Sequence, residues 1–456
     1  MAATSPTAPP LTSARPTEPS FTELGVPDVL CRALTADGVS VPFPIQSATL
    51  PDSLAGRDVL GRGRTGSGKT LAFVLPILVR LAESAATSPR RPGRPRALVL
   101  APTRELASQI HATLAPLAQL MRLRSTTIFG GVSAGPQVKA LREGVDILIA
   151  CPGRLGDHLD QRNVSLDAVE ITVLDEADHM ADLGFLPAVK RLLDKTPAAG
   201  QRMLFSATLD GGVDVIVKRY LHHPVTHSVD SDTASVPAMT HHVLHVTTAD
   251  RLPVLVDLTS APGRTMVFTR TKHRAKQLTR QLIASGVPAV EMHGNLAQNA
   301  RTRNLAAFSD GRADTMVATD IAARGIHVDD VALVVHADPP MEHKAYLHRS
   351  GRTARAGAEG TVITLMTDEQ VSDVRDLTKR AGIRPTVTRV KVGHPILTEL
   401  APGERLLTPA EERVAPVAAP PKVAAPRRPE PISRQSGPRR TSGGPTGGRG
   451  GLRRTR

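Results

Sequence analysis

Gly63-Arg64-Thr65-Gly66-Ser67-Gly68-Lys69-Thr70 lies between a short apolar run, Asp58–Leu60, and a stretch of helical character. The spacing is G-x-x-x-x-G-K-[ST], and the strand before it and helix after it separate a phosphate loop from a chance match. Glycines at these positions let backbone N–H groups turn toward phosphate oxygens at a helix N-terminus, where the macrodipole favours anions. Thr65, Gly66, Ser67 and Gly68 are therefore candidate nucleotide-cradling positions. Lys69 is placed to reach the β- and γ-phosphates of ATP, and the Thr70 hydroxyl to hold Mg²⁺.

Around this loop, short apolar runs alternate with helical stretches. Strands are predicted at Asp58–Leu60, Ala97–Ala101, Ser125–Phe129, Ile147–Ala150, Ile171–Leu174 and Arg202–Phe205. Such alternation implies a parallel sheet flanked by helices. Residues 21–225 make the first unit, and the less patterned 226–238 a hinge. A second unit of similar size spans 239–394, with strands expected at His242–Val246, Thr265–Phe268, Ala289–Met292, Thr315–Ala318, Leu333–His336 and Gly360–Leu365. No residue-level repeat relates the two, so any duplication is architectural.

The ends differ in character. Residues 1–20 are rich in Ala, Thr, Ser and Pro, lack an apolar h-region, and read as a disordered leader. Residues 395–456 are expected to be a disordered tail. Its last thirty positions hold nine arginines against the single acid Glu430, a composition suited to a nonspecific RNA tether. The whole chain carries a formal charge of +14, which favours a polyanionic partner. No apolar run approaches the ~20 residues that span a bilayer, so no membrane partner is expected. Two cysteines, Cys31 and Cys151, make neither a disulfide framework nor a zinc site and suit a reducing cytoplasm.

A hundred residues beyond the phosphate loop, Ile171-Thr172-Val173-Leu174 ends in Asp175-Glu176-Ala177-Asp178. Acids at the tip of an apolar strand lie at the sheet edge where such folds bind ligands. Asp175 is the candidate Mg²⁺ ligand beside Thr70, and Glu176 the candidate base for an attacking water. The second unit carries no phosphate loop, so one ATP site is expected.

Asp-Glu-Ala-Asp is the signature of the DEAD-box RNA helicases, and the chain resembles that family from Phe21 to about Lys391. The resemblance implies two RecA-like domains, each a parallel sheet flanked by helices, and an RNA-stimulated ATPase that unwinds short duplexes locally. Phe21 and Gln46 match the adenine-reading motif. Pro102-Thr103-Arg104, Gly130-Gly131 and Pro152-Gly153-Arg154 match segments that hold the RNA backbone. Ser206-Ala207-Thr208 matches the motif linking hydrolysis to unwinding, with Asp178 and His348 as its coupling partners.

In the second unit, Gln298-Asn299-Ala300-Arg301 and Thr319 match RNA-contacting segments, and Gly325 and His327 lie in a motif that touches nucleotide. His348-Arg349-Ser350-Gly351-Arg352-Thr353-Ala354-Arg355 matches the arginine-finger motif. Arg352 and Arg355 share one side of a helix if that segment is helical. RNA is expected to be held through phosphates and 2′-hydroxyls with little sequence preference, by a monomer.

Four positions depart from the family pattern. Cys151 stands for a usual Thr, Phe43 for a small polar residue, and Ala354 for a Gly, which a helix should tolerate. His327 stands for an Asp that bonds the ATP ribose. The pairs His222-His223 and His241-His242 read as surface residues. An RNA clamp with little unwinding needs the same motifs, whereas a DNA helicase is disfavoured by the DEAD acids with Phe21 and Gln46.

Overall fold

The computed structural model describes residues 19–63, 67–209, 211–229, 239–323, 326, 328, 330–354 and 359–409. The leader before residue 19, most of the hinge and the chain beyond 409 lie outside them.

Strands β1 (Val59–Arg62), β2 (Ala97–Leu100), β3 (Ser125–Ile128), β4 (Ile147–Ala150), β5 (Ile171–Asp175), β6 (Gln201–Ser206) and β7 (Val225–Ser228) form one sheet in the order β3-β4-β2-β5-β6-β1-β7. Strands β8 (Met239–His245), β9 (Arg264–Thr269), β10 (Ala289–Met292), β11 (Thr315–Thr319), β12 (Val331–His336), β13 (Gly360–Met366) and β14 (Thr386–Arg389) form the other, in the order β10-β11-β9-β12-β13-β8-β14. Adding seven to each strand of the first order reproduces the second, so the duplication is one of topology. Every strand pair is parallel. Parallel neighbours need crossovers, and the helices between the strands supply them.

Side chains alternate along each strand and feed two cores per sheet. Val99, Ile149, Val173 and Met203 point into one face of the first sheet, with Phe73 of the helix Lys69–Glu83. Leu98, Leu148, Leu174 and Leu204 fill the other face. In the second sheet Val267, Val317 and Val335 oppose Met266, Met316 and Val334 in the same way. Each such side chain, fully buried, contributes about 1.5–3 kcal/mol.

The structure corrects two boundaries. Residues 226–228, expected in the hinge, belong to β7, which pairs with β1 from Val59↔Val225 to Arg62↔Ser228. As an edge strand it is only half-buried on alternate residues, so its apolar signal is weak. The same holds for the unanticipated β14, most of whose residues are exposed. The tail also starts later than residue 395. The helix Pro395–Leu400 buries Leu397, Arg405 pairs with Asp257 at 2.8 Å, and the Leu406 and Thr408 N–H groups donate to Ser260 and Gly286 at 2.7 Å. The proline-rich composition hid one amphipathic turn.

Candidate functional site

The strand register decides where the chemistry gathers. Arg62 at the end of β1 aligns with Ser206 at the end of β6, and Asp175 at the end of β5 aligns with Phe205. Three neighbouring strands therefore finish within a residue of one another, at the carboxyl edge where open α/β sheets bind ligands. From β1 the chain passes through Gly63 to Gly68, which caps the helix Lys69–Glu83 with φ 85°. A Cβ at Gly68 would stand 2.7 Å from Gln46 Nε2, so glycine is required for approach as well as conformation. Gln46 braces the loop: its Nε2 donates to Gly68 O at 2.8 Å and its Oε1 accepts from Phe43 N at 2.9 Å. Buried Lys69 donates from Nζ to Gly63 O at 2.5 Å, within the loop it belongs to. Thr70 follows, half-buried, while Phe21 is packed in the apolar core. Thr65 and Gly66 lie outside the described residues.

The acidic run closes the other side. Asp175 is buried, and its Oδ1 accepts from Glu176 N at 3.0 Å. Burial, with the Glu176 charge beside it, pushes its carboxyl up to about 7 against the opposing pull of Lys69. Glu176 adopts φ 51°, in the left-handed region, and starts the helix Ala177–Asp182. Its Oε2 lies 2.7 Å from His179 Nδ1. Asp178 Oδ2 accepts from Thr208 N at 3.0 Å and Oγ1 at 3.3 Å. Asp178 N donates to Ser206 Oγ at 3.2 Å, and Ser206 Oγ donates to Thr208 O at 2.7 Å. Through these bonds, with Ala207 between, the ends of β5 and β6 act as one piece.

The neighbours β3-β4-β2 carry the other predicted set along the same edge. Pro102 and Thr103 are buried, and Thr103 Oγ1 caps the helix Arg104–Leu120 by accepting from Leu106 N at 3.2 Å. Arg104 is half-buried beside Gly131, whose φ of 77° and missing Cβ admit its guanidinium. Arg154 reaches the same loop, donating to Val132 O at 3.4 Å, from the helix Pro152–Asp160. Gly130 lies between the two arginines and Gly153 is exposed. Cys151 precedes that helix, and burial with the Glu105 charge pushes its thiol up to about 12.

The second sheet meets the first through charge. Arg301 Nε donates to Glu105 Oε1 at 2.7 Å, Gln298 Nε2 donates to the same oxygen at 3.1 Å, and Arg104 donates to Gln298 Oε1 at 3.1 Å. Arg301, expected on RNA, is buried, and it joins the two units through a guanidinium bonded to Glu105, His293 O and Ala322 O. Thr319 ends β11, half-buried. Arg349 anchors the helix His343–Ser350 by clasping Asp320 at 2.5 and 2.8 Å and donating to Asp338 O at 2.7 Å. His348, on that helix, meets His179 of the first unit edge-on, ring centroids 4.9 Å apart. The helix stops at Ser350, so Arg352 lies in a turn, and Arg355 falls outside the described residues. Arg352 is buried and donates to Ile326 O at 2.8 Å.

Two family models match this chain: the DEAD/DEAH box helicase over residues 43–215 and the helicase conserved C-terminal domain over 248–357. The ATP-dependent RNA helicase RhlB of Erwinia tasmaniensis is 38% identical over 394 residues, covering 86% of this chain and 91% of that one. The chain belongs to the DEAD-box helicases. DEAD-box ATP-dependent RNA helicase 28 of Oryza sativa is 40% identical, and the chain spans 46% of its length. Among solved structures, S. cerevisiae Dbp5 bound to RNA and ADP BeF3 matches with a TM-score of 0.72 at 28% identity, covering 84% of this chain and 99% of that one.

Within this helicase, Gly325, His327 and Arg355 lie outside the described residues. Sequence reasoning missed His179, Glu105 and Arg349. His179 offered a usable signal, an imidazole three residues after Glu176 on a helical turn. Glu105 and Arg349 sat inside motifs already assigned. His241, read as a surface residue, is half-buried and hydrogen-bonds Tyr346 OH at 3.0 Å.

Proposed function

We propose that the chain hydrolyses ATP when bound to RNA and uses the cycle to separate or remodel short RNA duplexes or RNA–protein complexes. The convergence of Lys69, Asp175 and Glu176 on neighbouring strand ends carries this reading. The loop amides and Lys69 hold the phosphates, and Gln46 with Phe21 takes the adenine. Asp175 fits Mg²⁺: it is a buried carboxyl pushed up to about 7, the state a cation would reverse. Thr70 supplies a second hard oxygen. Among the described residues no group of three or more His, Cys, Asp or Glu could hold a metal, which suits an ion that takes its other ligands from phosphate and water. When bound, Mg²⁺ neutralises charge on the transferring phosphoryl group.

Glu176 accepts a proton from the attacking water. Arg352 and Arg355 supply positive charge from the second unit, an effect worth about 10³–10⁵ in rate in other nucleotide hydrolases. Asp178, Ser206 and Thr208, with His348, transmit the state of the site. RNA phosphates are held by Arg104, Arg154, Gly130 and Gly131 and by the N-termini of the helices Arg104–Leu120 and Pro152–Asp160. Thr319 belongs to the same track. A cytoplasmic location suits two free cysteines, and no helix among the described residues is long and apolar enough to cross a membrane.

The test is Glu176→Gln assayed for ATPase with RNA, with DNA and without either. ATP and RNA binding are expected to survive while turnover is nearly abolished. Turnover within a few-fold of the parent would overturn the assignment of Glu176, and equal stimulation by DNA would overturn that of RNA.

A further inference from the structure

We propose that His179 is a positioning residue for Glu176, fixing the carboxylate through its Nδ1–H and linking that hold to the second unit through His348. The proposal rests on Glu176 being the water-activating base.

Three observations carry it. His179 Nδ1 lies 2.7 Å from Glu176 Oε2, and both residues are buried, so the bond is shielded from water. The geometry is one helical turn, from the left-handed Glu176 to the third residue of the helix Ala177–Asp182. Glutamate has freedom about three side-chain bonds, and a base must hold one of its many arrangements to meet a water. A donor on one oxygen fixes the plane of the carboxylate and so the direction of the other oxygen.

His179 is itself held at two further points. Its backbone N–H donates to Asp178 Oδ1 at 3.0 Å, within the network that joins β5 to β6. Its ring lies edge-on to His348, at an interplanar angle of 87°. His348 in turn is placed by the Arg349–Asp320 clasp one residue away and has Asp182 Oδ2 at 3.9 Å from its Nδ1. The wall behind His179 is thus part of the second unit. The base is held most firmly when the two units are in contact, which aligns the chemistry with closure without any contact to RNA.

The experiment compares His179→Ala and His179→Asn with Glu176→Gln in RNA-stimulated ATPase, measuring kcat and KM for ATP and RNA and the melting temperature. An asparagine amide can present its N–H near the position of Nδ1. His179→Ala is expected to lower kcat about tenfold, the scale of one hydrogen bond to a charged group, with both KM values within about twofold. His179→Asn is expected to recover most of that loss. Wild-type kcat in His179→Ala, an asparagine no better than alanine, or a loss matched by raised KM or a lowered melting temperature would overturn the proposal. Turnover in Glu176→Gln would instead overturn the base assignment on which it stands.

Discussion

Ala354 holds φ 55°, the left-handed conformation that costs a residue with a Cβ about 1–2 kcal/mol. The family pattern has glycine there, and a helix would tolerate the alanine. Because the helix ends at Ser350, Ala354 instead carries strain beside the arginine-finger motif. Ala354→Gly relieves the strain but adds freedom to the unfolded chain, so a net gain of roughly 0.5–1 kcal/mol is expected. Thermal melting should rise by about 1–4 °C for a unit of this size; a lowered or unchanged melting temperature would contradict the strain. At this scale the phosphate loop and the DEAD acids were legible because their chemistry lies in contiguous residues. A φ angle is not written in a residue's identity, and Ala354 escaped for that reason.

Among the elements, the contact between the helix Arg104–Leu120 and the helix Gln298–Ser309 holds a buried ion pair, Arg301 with Glu105. Burial alone would raise the Glu105 carboxyl, but the bond and charge of Arg301, with Gln298, hold it below its ordinary range. A carboxyl lowered by its partner supports the contact fully above the ordinary carboxylate range and loses that support as pH falls through the lowered value. Arg301→Ala leaves Glu105 buried without its cation, a change that costs about 3–5 kcal/mol in other buried pairs. RNA-stimulated ATPase should fall by roughly 10²-fold or more, with ATP binding to the first unit unchanged. A variant that kept its RNA stimulation would exclude this pair as the joint. The sheets themselves were largely foreseen, because strands buried on both faces read as continuous apolar runs. The edge strands β7 and β14 were not, since half or more of their residues answer to solvent, and the bond from Arg301 to Glu105 went unseen because a motif names a neighbourhood without naming the partner across it.

At the scale of the molecule, two sheets share one strand order, yet only the first has a glycine-rich loop after its inner strand; after β8 the chain reads Val246-Thr247-Thr248-Ala249-Asp250. One phosphate loop thus serves two equivalent frameworks. The arginine-rich residues 427–456 follow both in sequence, and their charge predicts a separable contribution to affinity. Deleting them should weaken RNA binding and lower the log–log salt slope by about 0.7 for each phosphate that no longer meets an arginine, leaving saturated ATPase unchanged. An unaltered slope would reduce the segment to a solubility device. Finally, Cys151 has a bearing on how motion in this enzyme can be watched. A thiol pushed up to about 12 stays protonated near neutral pH and reacts slowly with maleimide dyes. Replacing Cys31 alone therefore leaves a background quiet enough for engineered cysteines, one per sheet, to report opening and closing by fluorescence energy transfer between single pairs of fluorophores.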